Sequence, residues 1–207
     1  MLSFWESVEG TGILGAGEPM RSSRLDSGRS LITGDELARA PDPGRCELVR
    51  GQIVLAKPTF REHGRVEGNF YHELRSFAEP RKMGKVLVGE VGVYTRRDPD
   101  TIRGADVAFL SNERYARCRG RRGFLDVAPD LVVEVLSASE TRACVEEKLG
   151  EYFACGVRLV WVADPATSIV CAYRSLEDSR EFGAGDVLPG DEVLPGFSVP
   201  VSRLFED

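Results

Sequence analysis

The chain has only two histidines, His63 and His72, so a histidine-rich metal centre is excluded. A bound metal would have to sit on carboxylates, which favours a hard ion such as Mg2+ or Mn2+. Five cysteines, at positions 46, 118, 144, 155 and 171, form no CxxC pair and are odd in number. They read as free thiols of a reducing cytoplasm, not as a disulfide frame or zinc knuckle. No run of about eighteen apolar residues occurs, so no membrane span is expected. The opening residues lack the charged-then-apolar order of a signal peptide, and export is not expected. Gly89, Gly92 and Gly104 have no lysine-threonine companion, which argues against a phosphate loop of the NTPase kind. Positive charge is also short: 27 Lys and Arg face 33 Asp and Glu, a formal net charge of −6. A nucleic-acid site, if present, must be local.

What is present is enough for a sizeable core: 207 residues, 42% hydrophobic and 29% charged. The length suits one domain or two small ones. Residues 1–30 are Gly- and Ser-rich without a helical or strand period, and read as a disordered or loosely attached leader before a domain over 31–207. Thr33 to Glu36 has capping-box spacing ahead of a short helix that Pro41 stops. Glu47 to Leu55 reads as a hairpin turning at Arg50-Gly51. Val66, Phe70, Leu74 and Phe77 mark an amphipathic helix over about 62–78. Strands are expected at 86–94, 105–110, 131–136, 157–163 and 169–173. A helix between the third and fourth, with Ser137 and Glu140 as its capping box and Gly156 as its stop, makes a parallel βαβ unit. The tail, 187–205, suggests an edge hairpin and a terminal turn. The whole reads as a mixed β-sheet with helices on its faces.

The chemistry starts from two misplaced carboxylates. Glu134 sits in Leu-Val-Val-Glu-Val-Leu and Asp106 in Ala-Asp-Val-Ala-Phe-Leu. Burying a lone carboxylate costs several kcal/mol in order of magnitude, so such a group is normally paired or metal-bound. Carboxylates on neighbouring strands can share one divalent cation, which offsets both penalties. An arginine partner or a strand-edge position would account for either one alone. Lys148 lies on the flank of the Val145/Leu149 stripe and can reach the sheet, or point to solvent. Glu47, in the hairpin, is a further carboxylate or an exposed strand residue. Arg114, Arg117, Arg119, Arg121 and Arg122 follow the Asp106 strand with no acid between them, in a stretch whose glycines suggest a flexible loop. They can neutralise a few phosphates or merely solubilise the loop. His63 and His72 lie on opposite sides of one helix, so they are no pair; His63 can approach a substrate or simply open the helix.

These residues resemble the Uma-two family, a bacterial group with the restriction-endonuclease-like PD-(D/E)xK fold. The resemblance is carried by Glu47-Leu-Val-Arg-Gly-Gln-Ile-Val, His63, Ala105-Asp106-Val107 and Leu131-Val-Val-Glu134-Val-Leu-Ser137-Ala-Ser139. It continues through Glu147-Lys148-Leu149, Tyr152, Cys155-Gly156-Val157 and Trp161-Val-Ala-Asp164-Pro165. It implies a Mg2+- or Mn2+-dependent endonuclease acting on DNA, with Asp106, Glu134 and Glu47 on the metal and Lys148 as the catalytic lysine. The nucleic-acid contacts would come from Arg114, Arg117, Arg119, Arg121, Arg122 and His63. It also implies a homodimer, since one site cuts one strand at a time, and the apolar tail offers an edge for it. Two departures stand out. Ala105 replaces the family's usual proline, and Cys144 replaces an aspartate one helical turn before Lys148. The second leaves Lys148 without its expected acidic neighbour. A catalytically decayed nucleic-acid-binding or protein-interaction module is the rival reading, and a metal-free structural partner in an oligomer a third.

Overall fold

The computed structural model describes residues 31–41, 44–118, 123–138 and 140–207. The expected leader over 1–30 lies outside the described residues. Helix α1 (Gly34–Arg39) is started by the Thr33/Glu36 capping box that the spacing predicts. Strands β1 (Cys46–Val49) and β2 (Gln52–Leu55) form the hairpin, and Arg50 and Gly51 turn it at φ 51° and 77°. Helix α2 (Arg61–Ala78) buries Val66, Phe70, Leu74 and Ala78 on one stripe. Strands β3 (Gly84–Arg96) and β4 (Thr101–Ser111) are a long antiparallel pair that runs beyond the expected limits.

Strand β5 (Leu131–Val135), helix α4 (Arg142–Cys155) and strand β6 (Leu159–Asp164) are the parallel βαβ unit. Gly156 closes α4 at φ 104°, where a side chain would be strained. The N-cap of α4 is Thr141, however, and not Ser137. Strand β7 (Ile169–Tyr173) returns antiparallel to β6 through the Asp164 turn. Two elements carry too little pattern to be read from sequence. They are helix α3 (Asn112–Arg117), with no buried residue, and strand β8 (Ser179–Phe182), with one. Strands β9 (Val187–Pro189) and β10 (Ser198–Pro200) pair separately and lead into the short helix α5 (Val201–Leu204).

The main sheet runs β2-β1-β4-β5-β6-β7-β8, with β3 on the other edge of β4. One face packs on α2 and the tail, around Phe70, Trp161, Phe197 and Leu204. The other packs on α4 through Val145, Leu149 and Tyr152. The tail therefore supplies core: Leu188, Leu194, Phe197 and Val199 are buried, which corrects the expectation that it offers an apolar edge. The exposed apolar edge is β2, with Ile53, Val54 and Leu55 open to solvent. Among the described residues, no helix is long and apolar enough to cross a membrane.

The feature that positions the site is a fork on one edge of β4. β3 lines the opposite edge of β4 along nearly its whole length. The forked edge meets β1 at Ile102 and β5 only from Val107 to Phe109. Residues 103–106 lie between the two partners. Carboxylates enter the gap: Gly104 N–H donates to Glu47 (3.0 Å) and Val135 N–H donates to Asp106 (2.7 Å). Across from Asp106, β3 carries a bulge at Gly89 and Glu90, with φ 95° and 48°.

The arginine stretch is partly helical, not a loop throughout. Arg114 and Arg117 sit on α3, while 119–122 lie outside the described residues. The Arg114 guanidinium donates to the carbonyls of Ala128, Pro129 and Gly156 and pairs with Asp130 at 3.1 Å. It ties α3 to the entry of β5 and the end of α4, which accounts for it without a phosphate. Arg114→Ala should lower stability by about 1–3 kcal/mol, because Asp130 is left buried without this partner and two part-buried carbonyls lose their donor. Paired thermal melts of the wild type and the variant read it.

Candidate active site

The ladder between β4 and β5 stops at Val107/Val133, one step before Asp106 and Glu134. Both carboxylates sit where the strands part, 5% and 6% exposed. Helix α4 reaches Glu134 from one face of the sheet. Lys148 Nζ donates to Glu134 Oε2 at 2.8 Å, and Tyr152 OH donates to Glu134 Oε1 at 2.7 Å. Lys148 and Tyr152 are i and i+4 on α4, so one helical face supplies both donors. Lys148 Nζ also donates to Glu140 Oε1 at 3.1 Å and stands 3.9 Å from Glu47 Oε1. Glu140, expected as half of a capping box, accepts from the Ser137 N–H at 3.0 Å and is also a partner of the lysine. It fills the acidic place beside Lys148 that Cys144 leaves open. Cys144 itself is exposed and lies 3.2 Å from the Thr141 hydroxyl, which donates to its Sγ.

Helix α2 reaches Asp106 from the other side. His63 Nε2 lies 3.4 Å from Asp106 Oδ2, and His63 Nδ1 lies 3.9 Å from Glu67 Oε2. His63 is 6% exposed, and its Nδ1 is buried without a hydrogen-bond partner. His63, expected at the nucleic acid, has its ring turned inward onto carboxylates. Glu67 Oε1 accepts from Gly89 N–H at the bulge, 3.0 Å away. Ligand atoms of His63, Glu67 and Asp106 all lie within 4.8 Å of one another, the spacing of a metal cluster. Glu67 escapes a reading of the sequence because an exposed-looking acid on an amphipathic helix is ordinary. Its signal is the i,i+4 relation to His63.

Glu47 is held differently. Its Oε2 accepts from Arg103 Nη1 at 2.9 Å and its Oε1 from Gly104 N–H. Arg103 also grips Glu151 with Nε (2.6 Å) and Nη2 (3.0 Å). Its own signal was present in the sequence, as a cation inside the apolar run that contains Asp106.

Electrostatics follow from this packing. Burial, then the charges of Asp106 and Glu140, push Glu134 up to about 7 against the pull of Lys148. Burial pushes Lys148 down, but Glu134, Glu140 and Glu47 outweigh it and hold the amine well above its ordinary value. Burial also lowers His63, and the hydrogen bond and charge of Asp106 with those of Glu67 and Glu140 more than reverse it. Burial and the charge of Asp106 raise Glu67. Lys148 is thus a fixed cation, and the carboxylates around it are short of positive charge.

Comparison with known proteins comes to the same fold. The Uma2 family model, described as "Putative restriction endonuclease", matches residues 35–202. The crystal structure of a "putative nuclease belonging to DUF820" from Anabaena variabilis ATCC 29413 superposes with a TM-score of 0.71 at 18% identity. The match covers 84% of this chain and 97% of that one. The sheet and its flanking helices are therefore restriction-endonuclease-like. Among curated proteins, none matches the chain.

The raised carboxyl of Glu134 makes stability depend on pH. In the folded state it keeps a proton up to about pH 7, whereas the unfolded chain releases it near the ordinary 4.5. Its contribution is full below the ordinary value and is lost as pH rises through about 7. In chelator, Glu134→Gln should flatten the fall in melting temperature between about pH 5 and 8 relative to the wild type. An unchanged slope would mean that Glu134 keeps an ordinary titration.

Proposed function

The chain belongs to the Uma2 family, and from that premise we propose that it is a metal-dependent endonuclease that hydrolyses DNA phosphodiester bonds. One observation carries the reading: Asp106 and Glu134 lie buried where β4 and β5 part, Glu134 paired with Lys148 and Asp106 grouped with His63 and Glu67 at metal-ligand spacing. The donor set fits a hard divalent ion such as Mg2+ or Mn2+. It offers carboxylate oxygens, an imidazole nitrogen without a partner, and more buried negative charge than one lysine neutralises. Asp106 and Glu134 would hold the ion, with Glu67 and His63 completing it from α2. Glu47, expected on the metal, is proposed instead to orient Lys148, because Arg103 and Gly104 already hold both its oxygens.

When bound, the ion supplies Lewis-acid polarisation of a phosphoryl oxygen and a lowered pKa for a water. The chain's own groups do the rest. Lys148 keeps its proton and offers Nζ to the charge that builds on the phosphate. Tyr152 and Lys148 fix the two oxygens of Glu134, so its orientation does not have to be found during the reaction. Glu140 and Glu47 hold the amine in place. The decayed-module reading rests on Cys144, and Glu140 takes away that support. Arg117 remains a proposed phosphate contact, joined by Arg119, Arg121 and Arg122. Free thiols suit a cytoplasmic setting.

Magnesium or manganese at millimolar levels should raise the melting temperature of the wild type by mass action, and not that of Asp106→Ala or Glu134→Ala. On plasmid and branched DNA with manganese, Glu134→Gln and Asp106→Asn should not cleave. Lys148→Gln should bind metal nearly as the wild type does but cleave about 10²–10³-fold more slowly. Melting that ignores metal, with a fold weakened by neutralising either acid, would reject the site.

We also propose a homodimer. Support comes from the open edge of β2, where exposed Ile53, Val54 and Leu55 invite a second strand. Light scattering at micromolar concentration should give twice the chain mass, and Val54→Lys should halve it. A monomeric wild type would end the idea.

A further inference from the structure

A sizeable cavity lies away from the carboxylates. It measures about 930 Å³ and opens between α1, the end of β3, the end of α3 and the segment 123–127. Arg39, Arg97 and Arg117 line it, and so do Asp35, Asp126, Tyr94 and Phe124. Arg39 and Arg117 are exposed, and among the described residues no ion pair engages either guanidinium. Arg97 lies over the Tyr94 ring, its central carbon 3.3 Å from the centroid. Phe124 stands edge-on to the same ring at 6.1 Å.

This mixture is unlike a surface for duplex backbone, which needs cations alone along an open ridge. Arginines suit a phosphate and base carbonyls, and the exposed Asp35 carboxylate can accept from an exocyclic base amine. The Arg97 guanidinium, laid flat on Tyr94, is a ready plane on which a base can stack. The volume falls within the range of sites for small organic ligands, roughly 300–1,000 Å³. Below the cavity, Tyr94 and Phe124 pack on Ile102. From Ile102, β4 runs four residues to Asp106, about 13 Å of extended chain. A strand crossing both places would put a few nucleotides between them.

We propose that this cavity accepts an unpaired nucleotide of the DNA strand engaged at Asp106 and Glu134. The inference rests on the nuclease reading for that strand and directs it towards substrates with a single-stranded segment. The base stacks on Arg97. Arg39 and Arg117 hold the phosphates on either side.

The test is binding without cleavage. Fluorescence anisotropy in chelator compares a labelled single-stranded DNA oligonucleotide, a blunt duplex of the same sequence and single-stranded RNA, with free dAMP and dCMP as competitors. The wild type should bind the single strand at least tenfold tighter than the duplex. Arg39→Ala/Arg117→Ala should lose that preference while keeping its melting temperature, since both side chains are exposed. Arg97→Ala should weaken single-strand binding without changing duplex binding. Equal binding of single strand and duplex, or variants that bind like the wild type, would overturn the proposal. So would tighter binding of RNA, or mononucleotides that bind as well as the oligonucleotide. A wild type that shows the preference but never cleaves DNA, with any metal, supports the cavity and counts against the nuclease reading instead.

Discussion

Lys148 Nζ lies between Glu134, Glu140 and Glu47, and the rest of the site is arranged around that half-buried cation. Strand β5 is buried along its whole length, so a carboxylate there needs a partner to remain inside. Helix α4 brings the partner because the βαβ crossover lays it over the strand that it follows. The pairing is one-sided, with more carboxylates than cations. That imbalance pushes Glu134 up, and a divalent ion would remove it. Arg103 repeats the pattern a short way along β4, joining Glu47 to Glu151.

Much of this was legible before the fold was known. Glu134 and Asp106 betray themselves because strongly apolar strands do not carry acids without a reason. Lys148 is readable as the flank of a helical stripe. The β5–α4–β6 unit follows from a buried strand, a glycine-closed helix and another buried strand. In each case the signal is local: a residue at odds with its own neighbours, or a period along one element.

What was not legible depends on contacts between elements. Ser137 and Glu140 have capping-box spacing, yet Thr141 caps the helix, and Glu140 takes the Ser137 N–H on one oxygen and Lys148 on the other. Spacing shows the backbone amide but not the lysine eight residues on. Glu67 looks like any solvated helix acid until α2 is laid beside β4. Arg114 reads as part of a basic run, and only packing shows it holding three carbonyls. The bulge opposite Asp106 needs Gly89 and Glu90 in the left-handed region, which no pattern of hydrophobicity records.

The fork in β4 also sets how stiff the two walls of the site are. β5 is locked between β4 and β6, with five register pairs to β6 alone. The β1–β2 hairpin meets β4 at a single register pair, Leu48 with Ile102. Beyond that pair it is held by turn contacts, Gly51 to Asp100 and Arg50 to Thr101, and by the Glu47–Arg103 bridge. Local openings follow the elements with the fewest such ties. The wall carrying Glu134 is therefore fixed by ladders on both sides, and the wall carrying Glu47 by side-chain ties and the buried Leu48. The place of Glu47 beside Lys148 thus hangs on Arg103, whereas the place of Glu134 is set by the strand itself.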